Sequence, residues 1–353
     1  MTTRTRYFVI TSLLVMTVGV GTGLVAYYVG IPLLQRQEGA EDLRYLPRDA
    51  AVVASVNVQE VMHSDVRQRM RRAIPMSENG QRDFQNETGI NIETDIDRIV
   101  ACFEPRQNSA AGAAGAPSAQ GPAGGPEGLV LARGRFDAVK IEALGREHGA
   151  EAAYYKKVRL VVMQPPPSSQ APAPDKFVLA FMEPGLVALG SERLVYAAVD
   201  LKTGGANATA NEELMTRIRS LNHDNVWVVG RFDALGTHAL PPQVASQLPA
   251  ITWFSVSGHV DSGIRGVISA DTRDEEAANN FRDVLKGFMA LAKLQAGNKP
   301  EFQAMMQSLQ LGGTGKTVQL SFSVPGEVFD AVGAMRGSGP QNAPKPPPPQ
   351  PAH

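Results

Sequence analysis

The hydrophobic pattern divides the chain into one long apolar run and a series of shorter segments. The run from Phe8 to Val29 lies inside a stretch without charged residues that extends from Tyr7 to Gln35. A helix of about 22 residues rises about 33 Å, enough to cross the hydrocarbon core of a bilayer. Tyr7 and the pair Tyr27–Tyr28 stand at its two ends, where interfacial aromatic residues belong. The pattern predicts a single transmembrane helix.

A cleaved signal peptide is the alternative interpretation of this run. The apolar region of a signal peptide has about 7–15 residues and ends at an A-x-A-like site. The candidate site at Ala26 has Leu24 at the minus-three position, so a retained signal-anchor is favoured. Arg4 and Arg6 precede the run. We therefore expect a single-pass protein of the cytoplasmic (inner) membrane, with its amino terminus inside and residues 36–353 periplasmic or extracellular.

The segments after the run alternate between strand and helix patterns. Near the carboxyl terminus, Val318, Leu320, Phe322 and Val324 alternate with polar residues, which is typical of an antiparallel sheet with one buried face. Strands are predicted over 51–58, 96–103, 128–135, 153–163, 176–182, 185–190, 251–260 and 264–270. Helices are predicted over 65–74, 137–148, 191–201 and 272–295, with a shorter one from residue 300. The expected fold class is α+β, an antiparallel or mixed sheet backed by helices.

Polar side chains mark the predicted helix starts. Ser64 or Asp65 can cap the helix that ends before Pro75, and Asp137 can cap the next long helix. Thr272 and Glu275 have the spacing of a capping box. Each of these side chains can accept a hydrogen bond from an otherwise unpaired backbone amide.

A repeated hexamer suggests an internal duplication. The sequence RGRFDA (residues 133–138) recurs as VGRFDA (residues 229–234), and both follow an apolar run. Asp137 and Asp233 occupy the same place in the two copies and are both candidate helix caps. The shared context favours two tandem similar α+β units.

Composition sets the expected domain boundaries. Residues 105–127, 164–175 and 337–353 are rich in proline, alanine or glycine and poor in large apolar side chains, so we expect them to be disordered. The first two interrupt strand patterns and are interpreted as loops. The expected organisation is a cytoplasmic tail and anchor (1–35), a first α+β unit (36–204), a second unit (205–336) and a disordered proline-rich tail (337–353).

The opening of the first unit resembles a known sequence family. The run LPRDAAVVASVNV (residues 46–58) resembles the opening strand of an uncharacterised bacterial family, a domain of unknown function that follows an N-terminal membrane segment. The stretches SADTRDEEAANNFRDVLKGF and GKTVQLSFSVP are in the same style. The resemblance implies a location and a style of fold, and it carries no catalytic motif.

Charge and cysteine content exclude several classes of function. Lys and Arg number 34, Asp and Glu 35, and the net charge is -1, without the basic excess typical of nucleic-acid binding. A single cysteine excludes an internal disulfide framework and any site with several cysteine ligands. Nucleic acid is therefore not an expected partner.

The sequence offers no strong catalytic, cofactor or metal motif. The run GGTGKT (residues 312–317) resembles a phosphate loop, but Gln310 stands where that motif needs glycine, and the run leads from helix to strand. The six histidines form no zinc pattern, and Cys102 lies in an apolar strand. We expect no catalytic, cofactor-binding or metal-ligating residues, and an enzyme is the less favoured interpretation.

The basic cluster on the first predicted helix is the one candidate contact. It consists of Arg67, Arg69, Arg71 and Arg72, beside the apolar stripe of that helix. These arginines suit an anionic surface such as lipid headgroups, a wall polymer or an acidic envelope protein, although a solvated helix face is the ordinary interpretation. The expected function is a membrane-anchored extracytoplasmic binding or scaffolding protein of the bacterial cell envelope. The alternative is an extracytoplasmic hydrolase with scattered catalytic residues.

Overall fold

A computed structural model organises the chain around one sheet of twelve antiparallel strands. It describes residues 41–73, 82, 85–86, 88–104, 127–164, 176–221, 224–232, 251–295 and 300–337. The predicted membrane helix, residues 105–126 and 165–175 of the predicted loops, and the tail after Gly337 lie outside this part of the chain. Within it, no helix is both long and apolar enough to cross a membrane. The α+β class, a large antiparallel sheet with helices against it, is confirmed.

Strands and helices interleave along the chain. The strands are β1 (Val52–Asn57), β2 (Ile96–Glu104), β3 (Glu127–Gly134), β4 (Glu151–Tyr155), β5 (Val158–Met163), β6 (Phe177–Glu183), β7 (Leu186–Ser191), β8 (Val226–Arg231), β9 (Ile251–Val260), β10 (Ile264–Thr272), β11 (Gln310–Gly312) and β12 (Thr317–Val324). The helices are α1 (Val58–His63), α2 (Asp65–Ala73), α3 (Ile92–Asp95), α4 (Ala138–Glu147), α5 (Glu192–Leu201), α6 (Glu212–Ser220), α7 (Glu275–Gln295), α8 (Pro300–Ser308) and α9 (Gly326–Gly337). Short 3₁₀ helices cover Asp42–Tyr45 and Ala208–Ala210.

The sheet has two halves that meet at an antiparallel β1–β8 pair. The order outward from β1 is β2, β3, β7, β6, β5, β4, and outward from β8 it is β9, β10, β12, β11. In each half the third strand along the chain, β3 or β10, is followed by a helix, α4 or α7. The last strand of that half along the chain, β7 or β12, then pairs with the third strand. The first half carries an additional outer hairpin, β4–β5. One continuous sheet therefore crosses the predicted 204/205 boundary.

Different helices pack against the two faces of the sheet. The front face is defined by Val53, Leu129 and Leu131, and it packs against the first 3₁₀ helix, α5 and α6 in the main hydrophobic core. The back face is defined by Val52, Ile99 and Val130, and α1 contributes Val58 and Met62 to it. In the first half both faces are covered, which explains the nearly continuous apolar runs of β2 and β3.

The two ends of the sheet also differ. We call the end where β1 begins at Val52 the upper end, and the end where β1 finishes at Asn57 the lower end. By the strand register, β2 finishes and β3 begins at the upper end, as do the β5–β6 and β8–β9 connections. The three long connections, 105–126, 164–176 and 232–250, thus all join the sheet at its upper end. The first 3₁₀ helix lies at the lower end, because Asp42 pairs with Arg133 there.

Most predicted strands and helices are confirmed, with one strand corrected. The predicted strand 153–163 is a hairpin, β4 and β5, joined at Lys156 and Lys157. Both lysines have left-handed backbone angles (φ 47° and 68°), as a two-residue hairpin turn requires. The usual residues for such a turn are Asn and Gly, so two lysines carry no turn signal here.

Two helix starts differ from prediction. Asp274, not Thr272, caps α7: its Oδ1 accepts a hydrogen bond from Ala277 N at 2.8 Å, while the Thr272 hydroxyl donates to backbone carbonyls. The predicted strand 51–58 ends at Asn57, whose side chain accepts from Glu60 N and starts α1. The Asp137 cap is confirmed, since its carboxylate accepts from Val139 N and Lys140 N. Asp233 lies outside the described residues.

Candidate functional site

The lower end of the sheet brings together the predicted basic helix and two clefts. Helix α2 begins as the sequence predicts, with the Ser64 hydroxyl accepting from Arg67 N at 2.9 Å. Val66 is buried against Val260 at the lower end of β9, with Met70 beside it. The apolar stripe of α2 therefore fixes the helix on the sheet and leaves its arginines to the sides.

The four predicted contact residues divide into two kinds. Arg67 pairs with Glu93 at 2.9 Å and only 11% of its side chain is exposed. Arg69 pairs with Asp330 of α9 at 2.5 Å. Arg71 and Arg72 are exposed on the last turn of the helix. Arg67 and Arg69 thus hold α2 to neighbouring elements, and Arg71 and Arg72 are the more exposed of the four.

The chain preceding β1 is pinned to the same end. Asp42 is 1% exposed and accepts a hydrogen bond from Arg133 at 2.5 Å. Tyr45 donates a hydrogen bond to Glu183, to which Arg44 also donates at 3.2 Å. Burial is the first cause that raises the pKa of Tyr45. The chain thus joins the core within a few residues of Gln35, the end of the predicted membrane segment.

A cleft of about 480 Å³ opens beside the first copy of the repeated hexamer. Its walls are the turn before α3, the junction of β3 with α4, and the turn between β6 and β7. The lining residues are Thr88, Gly89, Ile90, Asp95, Gly134, Arg135, Phe136, Asp137, Lys140 and Gly185. We call it the hexamer cleft.

Local hydrogen bonds hold the charged side chains of the hexamer cleft in position. Asp95 accepts from Asn91 N at 2.9 Å and from Arg135 at 3.1 Å. These bonds, that from the Asn91 amide foremost, lower the pKa of Asp95 below its usual value. Gly134 is required because a Cβ there would overlap the Asp95 carbonyl oxygen. The hexamer glycine therefore allows the α3–β2 corner to approach β3.

A second cleft, of about 360 Å³, lies between α1, α2 and the β9–β10 turn. It is lined by Gln59, Glu60, His63, Ser64 and Asp261. Its ionisable groups belong to local structure: His63 Nδ1 lies 2.6 Å from Gln59 O, and Glu60 accepts from Asn225 at 2.9 Å. The side chains of Glu60, His63 and Ser64 in this cleft are therefore engaged in local structure.

The structure also shows where the glycine-rich run and the cysteine of the sequence lie. The GGTGKT run forms the turn from β11 to β12, two antiparallel strands, so its backbone amides do not lead into a helix. Cys102 is fully buried in β2, and burial raises the pKa of its thiol well above the usual range. No group of three or more His, Cys, Asp or Glu side chains among the described residues is placed to hold a metal ion.

Sequence reasoning missed the hexamer cleft, although one signal for it was present. The hexamer was interpreted as a repeat and a helix start, while its glycine, Gly134, and its second arginine, Arg135, line the cleft. The other wall is Thr88–Ile90, more than forty residues earlier in the chain, and only the fold brings it close.

Comparison with known proteins adds no relative to this picture. No protein-family model, no curated protein and no solved structure matches the chain. The resemblance to an uncharacterised bacterial membrane-anchored family therefore stays a prediction from residues 46–58.

Proposed function

We propose that this chain is a membrane-anchored extracytoplasmic binding or scaffolding protein of the bacterial cell envelope. Residues 1–35 would supply the cytoplasmic tail and the anchor, and the sheet would stand outside the cytoplasmic membrane. The observation that carries the proposal is the way the chain after the predicted anchor is buried at the lower end of the sheet.

The covalent reach of the chain limits how far the sheet can stand from the membrane. Six peptide units separate Gln35 from Glu41, which span at most about 20–22 Å. Asp42, Leu43 and Tyr45 are at most 2% exposed. An anchor ending near Gln35 would therefore hold the lower end of the sheet close to the bilayer.

The placement of α2 supports the same orientation. Its exposed Arg71 and Arg72 are at the lower end, where anionic headgroups would attract them. The three long connections join the sheet at the opposite end, which would face outward. The similar strand order of the two halves supports two tandem units within this one sheet. No observation on the described residues favours the hydrolase alternative.

Energy transfer to the membrane tests this orientation. Lys157 and Lys316 are exposed lysines in tight turns at the lower and upper ends, respectively. We would reconstitute the full chain with a donor dye on Lys157→Cys or Lys316→Cys and an acceptor on lipid headgroups. The native Cys102 is buried, and the unsubstituted chain measures its background labelling. We expect stronger transfer from position 157, because a strand of nine residues separates the ends by about 30 Å.

A reporter fusion tests the side of the membrane. Alkaline phosphatase joined after Gly337 is expected to be active in a bacterial host, since the enzyme folds outside the cytoplasm. The intact mass of the mature protein distinguishes a retained anchor from a cleaved signal peptide. An inactive fusion, or equal transfer from positions 157 and 316, would contradict the proposal.

A further inference from the structure

We propose that the hexamer cleft binds a phosphate group, that of an anionic lipid headgroup or of a free organic phosphate. The lipid source rests on the proposed function, because only an anchored chain holds the lower end near a bilayer. The phosphate chemistry itself rests on the cleft alone. This proposed phosphate site is distinct from the candidate arginine cluster of α2.

The position of Lys140 is the first support. Its ammonium group lies against the backbone of Gly89, where the Cβ of any other residue would overlap Nζ and Cε. Gly89 also has a left-handed backbone (φ 71°) that favours glycine. The absence of a side chain at Gly89 therefore leaves the space in which the Lys140 ammonium stands, at the wall of the cleft.

The second support is that Lys140 lacks the internal partner that several neighbouring cations of the lower end have. Arg67, Arg69 and Arg133 each have an acidic partner within 2.9 Å, and Lys202 donates to the Met182 carbonyl oxygen. Within the part of the chain that the structure describes, Lys140 Nζ has no hydrogen bond or ion pair. A positive charge is thus left available for an external anion.

The two carboxylates of the cleft are already engaged. The Asp95 carboxylate accepts hydrogen bonds from Asn91 N and from Arg135. The Asp137 carboxylate accepts from Val139 N at 3.0 Å and from Lys140 N at 3.1 Å. Arg135 also donates to the Thr94 carbonyl oxygen, and 71% of its side chain is exposed, so an anion at the rim can reach its other N–H groups. Lys140 and Arg135 together offer several donors in one cleft, the arrangement that phosphate oxygens accept.

The volume and location suit a headgroup rather than a whole lipid. The cleft holds about 480 Å³ and lies at the lower end, as does the Asp42–Arg133 pair. Phe136 gives it an apolar wall beside the charged groups. A phosphodiester with a glycerol group fits this mixture, and acyl chains would remain in the bilayer.

Retention of lipid by the full chain tests the proposal. We would purify wild type, Lys140→Gln and Lys157→Gln from mixed micelles containing phosphatidylglycerol and phosphatidylcholine, and count bound lipids by native mass spectrometry. Lys157 is the matched control, an exposed lysine in the lower-end β4–β5 turn. A second arm titrates glycerophosphate into the same three proteins and follows binding by calorimetry.

We expect wild type and Lys157→Gln to retain phosphatidylglycerol over phosphatidylcholine, and Lys140→Gln to retain at least fivefold less. Binding of glycerophosphate lost in Lys140→Gln, without lipid retention, would support the phosphate site and assign it to a free ligand. Equal behaviour of wild type and Lys140→Gln in both arms would overturn it. Arg135→Gln is the second variant, and circular dichroism checks that each protein is folded. Because the glycerophosphate arm needs no membrane, it can succeed when the proposed anchoring fails.

Discussion

The two halves of the sheet differ most along a single row of paired residues on the front face. In the first half this row contains Val53, Cys102, Leu129, Val178 and Val162, all at most 9% exposed. In the second half the same row continues through Val229 into Ser255, Ser269 and Gln319. Most apolar residues of β9, β10 and β12 lie instead on the back face, while Trp253 stays on the front face with the main core.

This difference means that the two halves of one sheet are stabilised by different patterns of burial. The first half is a three-layer structure with apolar side chains on both faces, so its strands resemble the buried strands of α/β proteins. The second half has one apolar face and one polar face, as expected of an ordinary antiparallel sheet. Trp253 and Arg217 mark the boundary on the front face, where the guanidinium lies 4.3 Å from the ring centroid.

The largest expected effect is a core substitution in the first half. Leu131 is 1% exposed on the front face, so Leu131→Ala should lower the free energy of unfolding by about 2–5 kcal/mol. Leu320 of β12 is half-buried, and Leu320→Ala should lower it by about 1 kcal/mol. Urea unfolding of the full chain in mild detergent, followed by circular dichroism, measures both. Equal losses would remove the proposed difference between the halves.

The two hexamer glycines give the next comparison. A Cβ at Gly134 would overlap the backbone oxygen of Asp95, which cannot move without shifting α3. A Cβ at Gly230 would meet side-chain atoms, Val52 Cγ2 at 2.8 Å and Phe254 Cε1 at 2.9 Å, which can rotate. Gly134→Ala should therefore destabilise by about 2–3 kcal/mol and Gly230→Ala by about 1 kcal/mol. The same unfolding experiment checks the order, and a larger loss at Gly230 would contradict it.

The smallest expected effect is a pH dependence confined to the second half. His259 is 5% exposed, and burial, followed by the charge of Arg265, lowers its pKa, while Asp224 and Asp261 oppose that shift. Because the unfolded chain then binds the proton more readily, stability should fall as the pH drops below the ordinary histidine pKa of about 6.5.

A matched pair of variants isolates that contribution. His259→Asn should show a shallower loss of stability than wild type between about pH 7 and pH 5. The control variant Lys157→Gln, which changes an exposed side chain and no histidine, should follow wild type. Unfolding midpoints at three pH values measure the slopes, and parallel slopes for all three proteins would exclude a role for His259.

The sequence predicted those parts of the fold that depend on local pattern. The alternation of β12 and the Asp137 cap each depend on neighbouring residues, and both are confirmed. The two-lysine turn was missed because its left-handed residues are not the usual ones. The capping residue of α7 was misplaced because Thr272 and Asp274 both have acceptor side chains at the helix start.

The candidate sites depend on contacts that no local pattern reveals. Arg67 and Arg69 were candidates for contact with an anionic surface, and in the structure they pair with Glu93 and Asp330 from distant parts of the chain. Lys140 had no distinguishing feature in the sequence. Lys140 becomes a candidate binding residue through the placement of Gly89 beside it, and that placement depends on how α3 and β2 pack against β3.

The central β1–β8 pair has a consequence for the order of folding. As synthesis and any export proceed from the amino terminus, β1 can pair with β2 early, but its other side has no native partner until residues 226–231 are available. During that interval β1 is an apolar sheet edge, and such edges pair with foreign strands and aggregate. A chain truncated before Val226 therefore leaves its most central strand exposed, and we expect such a fragment to need a chaperone to stay soluble.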